Sequence, residues 1–93
     1  MARQFTVKAR FQQRYDRLTP PEQLLVKKSL GQFQHYLDTG EMALGLGLRK
    51  LGSGVYEFRA GLALRILSVE EGALVVLDFL GSHDEVRRFL KRR

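Results

Sequence analysis

Cysteine is absent from the 93 residues. That excludes disulfide bridges, thiolate catalysis and cysteine–zinc sites, and it suits a reducing cytosol. No apolar run approaches the ~18 residues that a membrane-spanning helix needs. The opening stretch, "MARQFTVKAR", lacks the apolar core of a secretory signal. A soluble, cytoplasmic protein that makes no membrane contact is therefore expected. Linkers, internal repeats and low-complexity segments are also missing, so residues 1–93 should form one domain. The glycine-rich "GLGLRKLG" lacks the G-x-G-x-x-G spacing and a Gly-Lys-Ser/Thr ending. It also follows a helix pattern rather than a strand, which argues against a nucleotide-binding loop.

Basic charge is plentiful. Lysine and arginine number 16 against 10 acidic residues, a formal net charge of +6. Such a balance points towards a polyanionic partner such as nucleic acid, with a merely basic surface as the plainer reading. The apolar fraction, 44%, is that of an ordinary globular protein.

Phe5 and Val7 alternate at strand spacing within residues 3–8. Phe11, Tyr15 and Leu18 then recur on one helix face, with Arg10, Arg14 and Arg17 forming a basic ridge beside them. "TPPE" at 19–22 is a helix start: Thr19 caps, Pro20 suits the first helical position and Glu22 completes a capping box. Val26, Leu30, Phe33 and Leu37 carry that helix over 20–39, and Gly40 ends it. It should pack antiparallel to the helix before it. Residues 40–54 read as a loop with a short strand at 48–51. Strands follow at 54–60, 62–69 and 73–80, turning at Gly61 and at "EEG". "SHDE" at 82–85 is a second capping box, opening a last helix edged by Val86, Phe89 and Leu90. The order β-α-α-β-β-β-α makes an α+β domain, with an antiparallel-rich sheet packed on a helical hairpin and the helices on one sheet face.

Glu57, Arg59 and Arg65 stand among strand residues, where a charge needs a partner or water. A three-residue loop, Ala60-Gly61-Leu62, would set Arg59 opposite Ala63 and Glu57 opposite Arg65. The charges then share the face away from the helices, with Tyr56, Phe58, Leu64 and Ile66 on the other. One reading is a structural Glu57–Arg65 pair, contributing roughly 0.2–1 kcal/mol. The other is a site for an anion.

Four short stretches, in order, are Lys50-Leu51-Gly52, Tyr56-Glu57-Phe58-Arg59, Leu64-Arg65 and Gly81 to Val86. Their order and spacing resemble the RelE/ParE-like toxins of bacterial toxin–antitoxin pairs, over nearly the whole chain. The resemblance implies a RelE-like fold and a metal-independent, cofactor-free messenger RNA endoribonuclease (a hydrolase-class mRNA interferase). Such an enzyme inhibits translation, often acts on the ribosome, and is covered by a cognate antitoxin. It implies catalytic roles for Arg59, Arg65 and His83, with Arg59 and Arg65 on the phosphate; Glu57 joins the catalytic candidates by its chemistry. Lys50, Arg49, Arg87 and Arg88 are the candidate RNA-binding residues. Several RNases of this family use a tyrosine near the C-terminus; here Arg87 and Phe89 stand in that region. The alternative it implies is an inactive module of the same fold that binds an antitoxin or poisons DNA gyrase. A third reading, a basic RNA-binding protein unrelated to toxins, rests on charge alone.

The chemistry suits these residue types. Attack by a ribose 2′-hydroxyl needs a base there, cations on the phosphate and an acid at the leaving oxygen. Arginines supply forked donors but are too basic to take the proton. Glu57 or His83 could be the base, and His83 or Lys50 the acid. His35, alone on the long helix, is assigned to the surface.

Overall fold

The computed structural model describes residues 4–92. Its elements are β1 (Gln4–Val7), α1 (Ala9–Asp16), α2 (Pro20–Thr39), β2 (Arg49–Gly52), β3 (Val55–Ala60), β4 (Leu64–Glu71), β5 (Leu74–Ser82) and α3 (His83–Lys91). The α+β class and the helical hairpin packed on a mainly antiparallel sheet are as the sequence indicates. The short stretch near 48–51 is a true edge strand, so the order becomes β-α-α-β-β-β-β-α.

Local chemistry sets the helix ends. The Thr19 hydroxyl accepts from the Glu22 N–H, and the Glu22 carboxylate accepts from the Thr19 N–H. At the other end Gly40 adopts φ 80°, a region that a side chain disfavours. Between them α2 buries Val26 and Phe33. Phe33 stacks on Phe58 at 4.4 Å and meets Phe5 and Tyr56 edge-on or tilted. Ile66, Val75, Leu77 and Leu80 complete this core. Each such side chain, fully buried, contributes about 1.5–3 kcal/mol.

The sheet runs β1-β5-β4-β3-β2. Strands β2 to β5 form an antiparallel meander, and β1 lies parallel to β5. The first hairpin register differs from expectation. Ala60 opposes Leu64, Arg59 opposes Arg65 and Glu57 opposes Leu67, so the loop is residues 61–63. The shift is two residues, which preserves the alternation; hydrophobic pattern cannot distinguish the two registers. Burial decides it: Ala60 joins the core at 1% exposure while Leu62 sits at the turn tip at 96%. The supposed Glu57–Arg65 pair therefore does not form, and Glu57 instead faces Arg49 of β2.

A second correction concerns α3. The hairpin α1–α2 covers the Phe58–Ile66–Leu80 face, but α3 lies on the opposite one. There Glu57, Leu67 and Phe79 form one cross-strand row. Phe89 of α3 stacks on Phe79 at 4.4 Å, and Val86 is fully buried. The reason is apolar surface on the charged face: Leu67 and Phe79 stand there too, and α3 shields them from water.

α3 is fastened at its start. The Ser82 hydroxyl accepts from the Glu85 N–H, and Glu85 Oε1 accepts from the Ser82 N–H at 2.8 Å. Arg14 of α1 donates to the same carboxylate and to the Leu80 carbonyl. The Ser82 backbone N–H, and then the Arg14 side chain, hold the Glu85 carboxyl down to about 2 from an ordinary 4.5. A folded-state pKa below the unfolded one contributes stability that is fully present above pH 4.5 and lost as pH falls towards 2. Glu85→Gln should lower the melting temperature near neutral pH by about 4–8 °C, the shift that about 1 kcal/mol makes in a small domain. Towards pH 2 the two proteins should melt together. Melting curves across the acid range would show it; parallel curves would deny Glu85 this role.

Candidate active-site cleft

Strand pairing brings Arg49 of β2 beside Glu57 of β3 on the α3 face. Over them passes α3, whose residues 83, 87 and 90 share one flank by helical spacing. Arg49, Leu51, Glu57, His83, Arg87 and Leu90 thus enclose a cleft of about 270 Å³. Four of the residues singled out in the sequence meet here: Glu57, His83, Arg49 and Arg87.

Glu57 is buried at 3% exposure. Its nearest cation is Arg49, with Nη1 3.8 Å from Oε1, too long for a hydrogen bond. Glu57 Oε1 and His83 Nδ1 are both buried without a hydrogen-bond partner among the described residues. Orphaned polar atoms are rare in folded proteins and need a cause. Two such atoms, one on a carboxylate and the other on an imidazole, line the same cleft. Arg87 is exposed on α3 and has no ion-pair partner among the described residues.

The other candidates lie around the cleft. Arg59 and Arg65 face each other across β3 and β4, in the row that ends at Gly81, two residues before His83. No acidic side chain is within ion-pair distance of either among the described residues. Both main-chain groups of Arg59 are taken from outside the ladder: its N–H donates to the Leu46 carbonyl, and the Ser29 hydroxyl donates to its carbonyl. Its side chain lies along Gly47. A Cβ there would sit 2.9 Å from Arg59 Cδ, and φ is +60°, so glycine is required twice over. Arg59 also lines a smaller hollow with Lys28 and Gln32 of α2, outside the cleft. Lys50 pairs with Tyr56 and stands on the α2 side of the edge strand. Arg88 lies on the far flank of α3. His35 is exposed, and its ring meets Glu41 at 3.3 Å.

Sequence reasoning missed the partners of the basic ridge on α1. Arg10 binds the buried Asp78 carboxylate and the Asp78 carbonyl, and Arg14 binds Glu85. Both therefore tie α1 to β5 and α3. Asp78 falls where the β4–β5 register slips, between the pairs Leu67–Phe79 and Ser68–Leu77. A lone Asp in an apolar run was the available signal. Among the described residues no three His, Asp or Glu side chains gather as a metal site, and no helix is long and apolar enough to cross a membrane.

No protein-family model matches the chain, and no curated protein does. Solved structures do. A copper-bound mutant toxin from Helicobacter pylori superposes with a TM-score of 0.65 at 18% identity, over 90% of this chain and 98% of that one. A chain of the RelB–RelE antitoxin–toxin complex from Methanococcus jannaschii gives 0.63 at 12% identity, over 89% and 95%. A chain of the DinJ–YafQ complex from E. coli gives 0.61 at 11%, over 90% and 97%. The fold of this chain is thus a RelE-like toxin fold.

Proposed function

We propose that this protein is the toxin of a toxin–antitoxin pair and cleaves single-stranded messenger RNA, halting translation. The observation that carries the reading is the cleft joining Glu57 and His83, each with an unpaired buried polar atom, to Arg49 and Arg87. Glu57 takes the proton of the ribose 2′-hydroxyl, whose oxygen attacks the adjacent phosphorus. The P–O5′ bond breaks, and His83 protonates the departing 5′-oxygen. A 2′,3′-cyclic phosphate and a 5′-hydroxyl result. Arg49 and Arg87 hold the non-bridging oxygens as charge builds on them, and Arg65 reaches the neighbouring phosphate from the adjoining row. All groups used are side chains of this chain, so the reaction needs no metal or cofactor. Lys50, on the other side of the sheet, takes no part. The antitoxin is a separate protein that covers the basic face, and the toxin acts in the cytoplasm.

The test is induced expression without a partner, with messenger RNA ends mapped. Growth should stop within minutes, with new 5′-hydroxyl ends inside coding regions. Arrested growth with intact messages and trapped gyrase–DNA complexes would instead assign the protein to a gyrase poison of the same fold. The chain offers that alternative one support: Phe89, in the region where several RNases of the resembling family carry a tyrosine, is committed to a stack with Phe79.

A further inference from the structure

The opposite flank of α3 carries a second groove. Residues 83, 87 and 90 look into the cleft, whereas 85, 88 and 92 fall on the other side of the helix. Glu85, Arg88, Phe89 and Arg92 join Phe79 and Arg14 around a hollow of about 260 Å³. Arg14 is occupied by Glu85 and the Leu80 carbonyl. Arg88 and Arg92 are exposed and have no ion-pair partner among the described residues.

The aromatic pair shows what kind of ligand fits. Phe79 and Phe89 stack on each other at 4.4 Å, the Arg14 guanidinium lies 4.8 Å over Phe79, and that of Arg10 lies 4.8 Å over Phe89. The outer faces of the rings are thereby covered. Neither a nucleobase nor an apolar side chain of a protein partner can stack there. The groove offers free cations and no platform, which suits a phosphodiester backbone read without regard to sequence.

We propose that this groove is a phosphate-binding exosite for single-stranded RNA, receiving the continuation of the strand whose scissile linkage lies in the cleft across α3. The proposal rests on the RNA-cleavage reading above. A helix with its side chains is about 10–12 Å across, so a dinucleotide in the cleft cannot also reach Arg88 and Arg92. A longer strand crossing α3 meets Arg87 on one side and these two on the other.

The experiment compares a dinucleotide with a single strand of about a dozen nucleotides, on the intact protein and on the double variant Arg88→Ala, Arg92→Ala. The intact protein should favour the longer RNA, and the variant should erase most of that advantage. Two lost phosphate contacts should flatten the log–log salt dependence of binding the longer RNA by about 1.4. Swapping the sequence of the flanking nucleotides should change neither result. Cleavage of both RNAs with an unchanged salt slope in the variant would overturn the exosite alone. Failure of the intact protein to bind or cleave either RNA would overturn the cleavage reading and the exosite with it. A variant that still binds RNA as before but releases a polyglutamate peptide would assign the groove to an acidic protein and overturn the proposal too.

Discussion

Glu57→Gln is expected to leave a folded protein that cleaves RNA about two to four orders of magnitude more slowly, the usual loss when a positioned base is removed. The substitution keeps the shape and removes only the charge and the basicity. Glu57 is almost fully buried, with one carboxylate oxygen unbonded and its nearest guanidinium beyond hydrogen-bond reach. A charge so placed costs stability, so its neutral isostere should melt at the same temperature or higher. His83→Ala should lose a comparable factor from the other side of the reaction. Full activity in Glu57→Gln would remove the carboxylate from the chemistry.

The capping boxes, the helix ends and the alternation of β3 and β4 were legible in the sequence because each is fixed by neighbours along the chain. Thr19 with Glu22 and Ser82 with Glu85 are three-residue events, and both form as the spacing indicates. Alternation also placed Glu57, Arg59 and Arg65 on one face in both the expected register and the observed one, which differ by two residues. What the sequence hid is long-range. The parallel pairing of β1 with β5 joins strands about seventy residues apart, with no local signal. The side of the sheet taken by α3 depends on Leu67 and Phe79 appearing beneath it, on strands paired only after folding. That placement makes the cleft: the same helix brings His83 and Arg87 over Glu57 and sends Arg88 to the far flank. The split between two basic surfaces could not be read from the run "EVRRFLKRR".

Arg65→Ala should raise stability and lower activity together, and this opposition distinguishes a site from a scaffold. In the structure Arg65 faces Arg59 directly across the strands. The Arg59 N–H points away, to the Leu46 carbonyl, so this is the non-hydrogen-bonded kind of pair, in which opposed side chains come closest. Like charges opposed in a sheet are destabilising, by a few tenths to about 1 kcal/mol. No carboxylate within ion-pair distance offsets the repulsion among the described residues. Removing one arginine should therefore leave the melting temperature unchanged or raise it by a few degrees, roughly what that relief is worth in a small domain. If Arg65 holds the phosphate beside the scissile one, cleavage should fall by about two to three orders of magnitude, as when a preorganised donor is lost. Arg65→Lys keeps the repulsion but loses the planar fork, so it should match the parent in melting and fall between parent and alanine in rate. Melting curves and single-turnover cleavage on the three proteins supply both readouts. A less stable Arg65→Ala would mean that the side chain has a structural partner after all. A variant that is more stable and fully active would mean that the paired arginines serve something other than the phosphate of the cleaved strand.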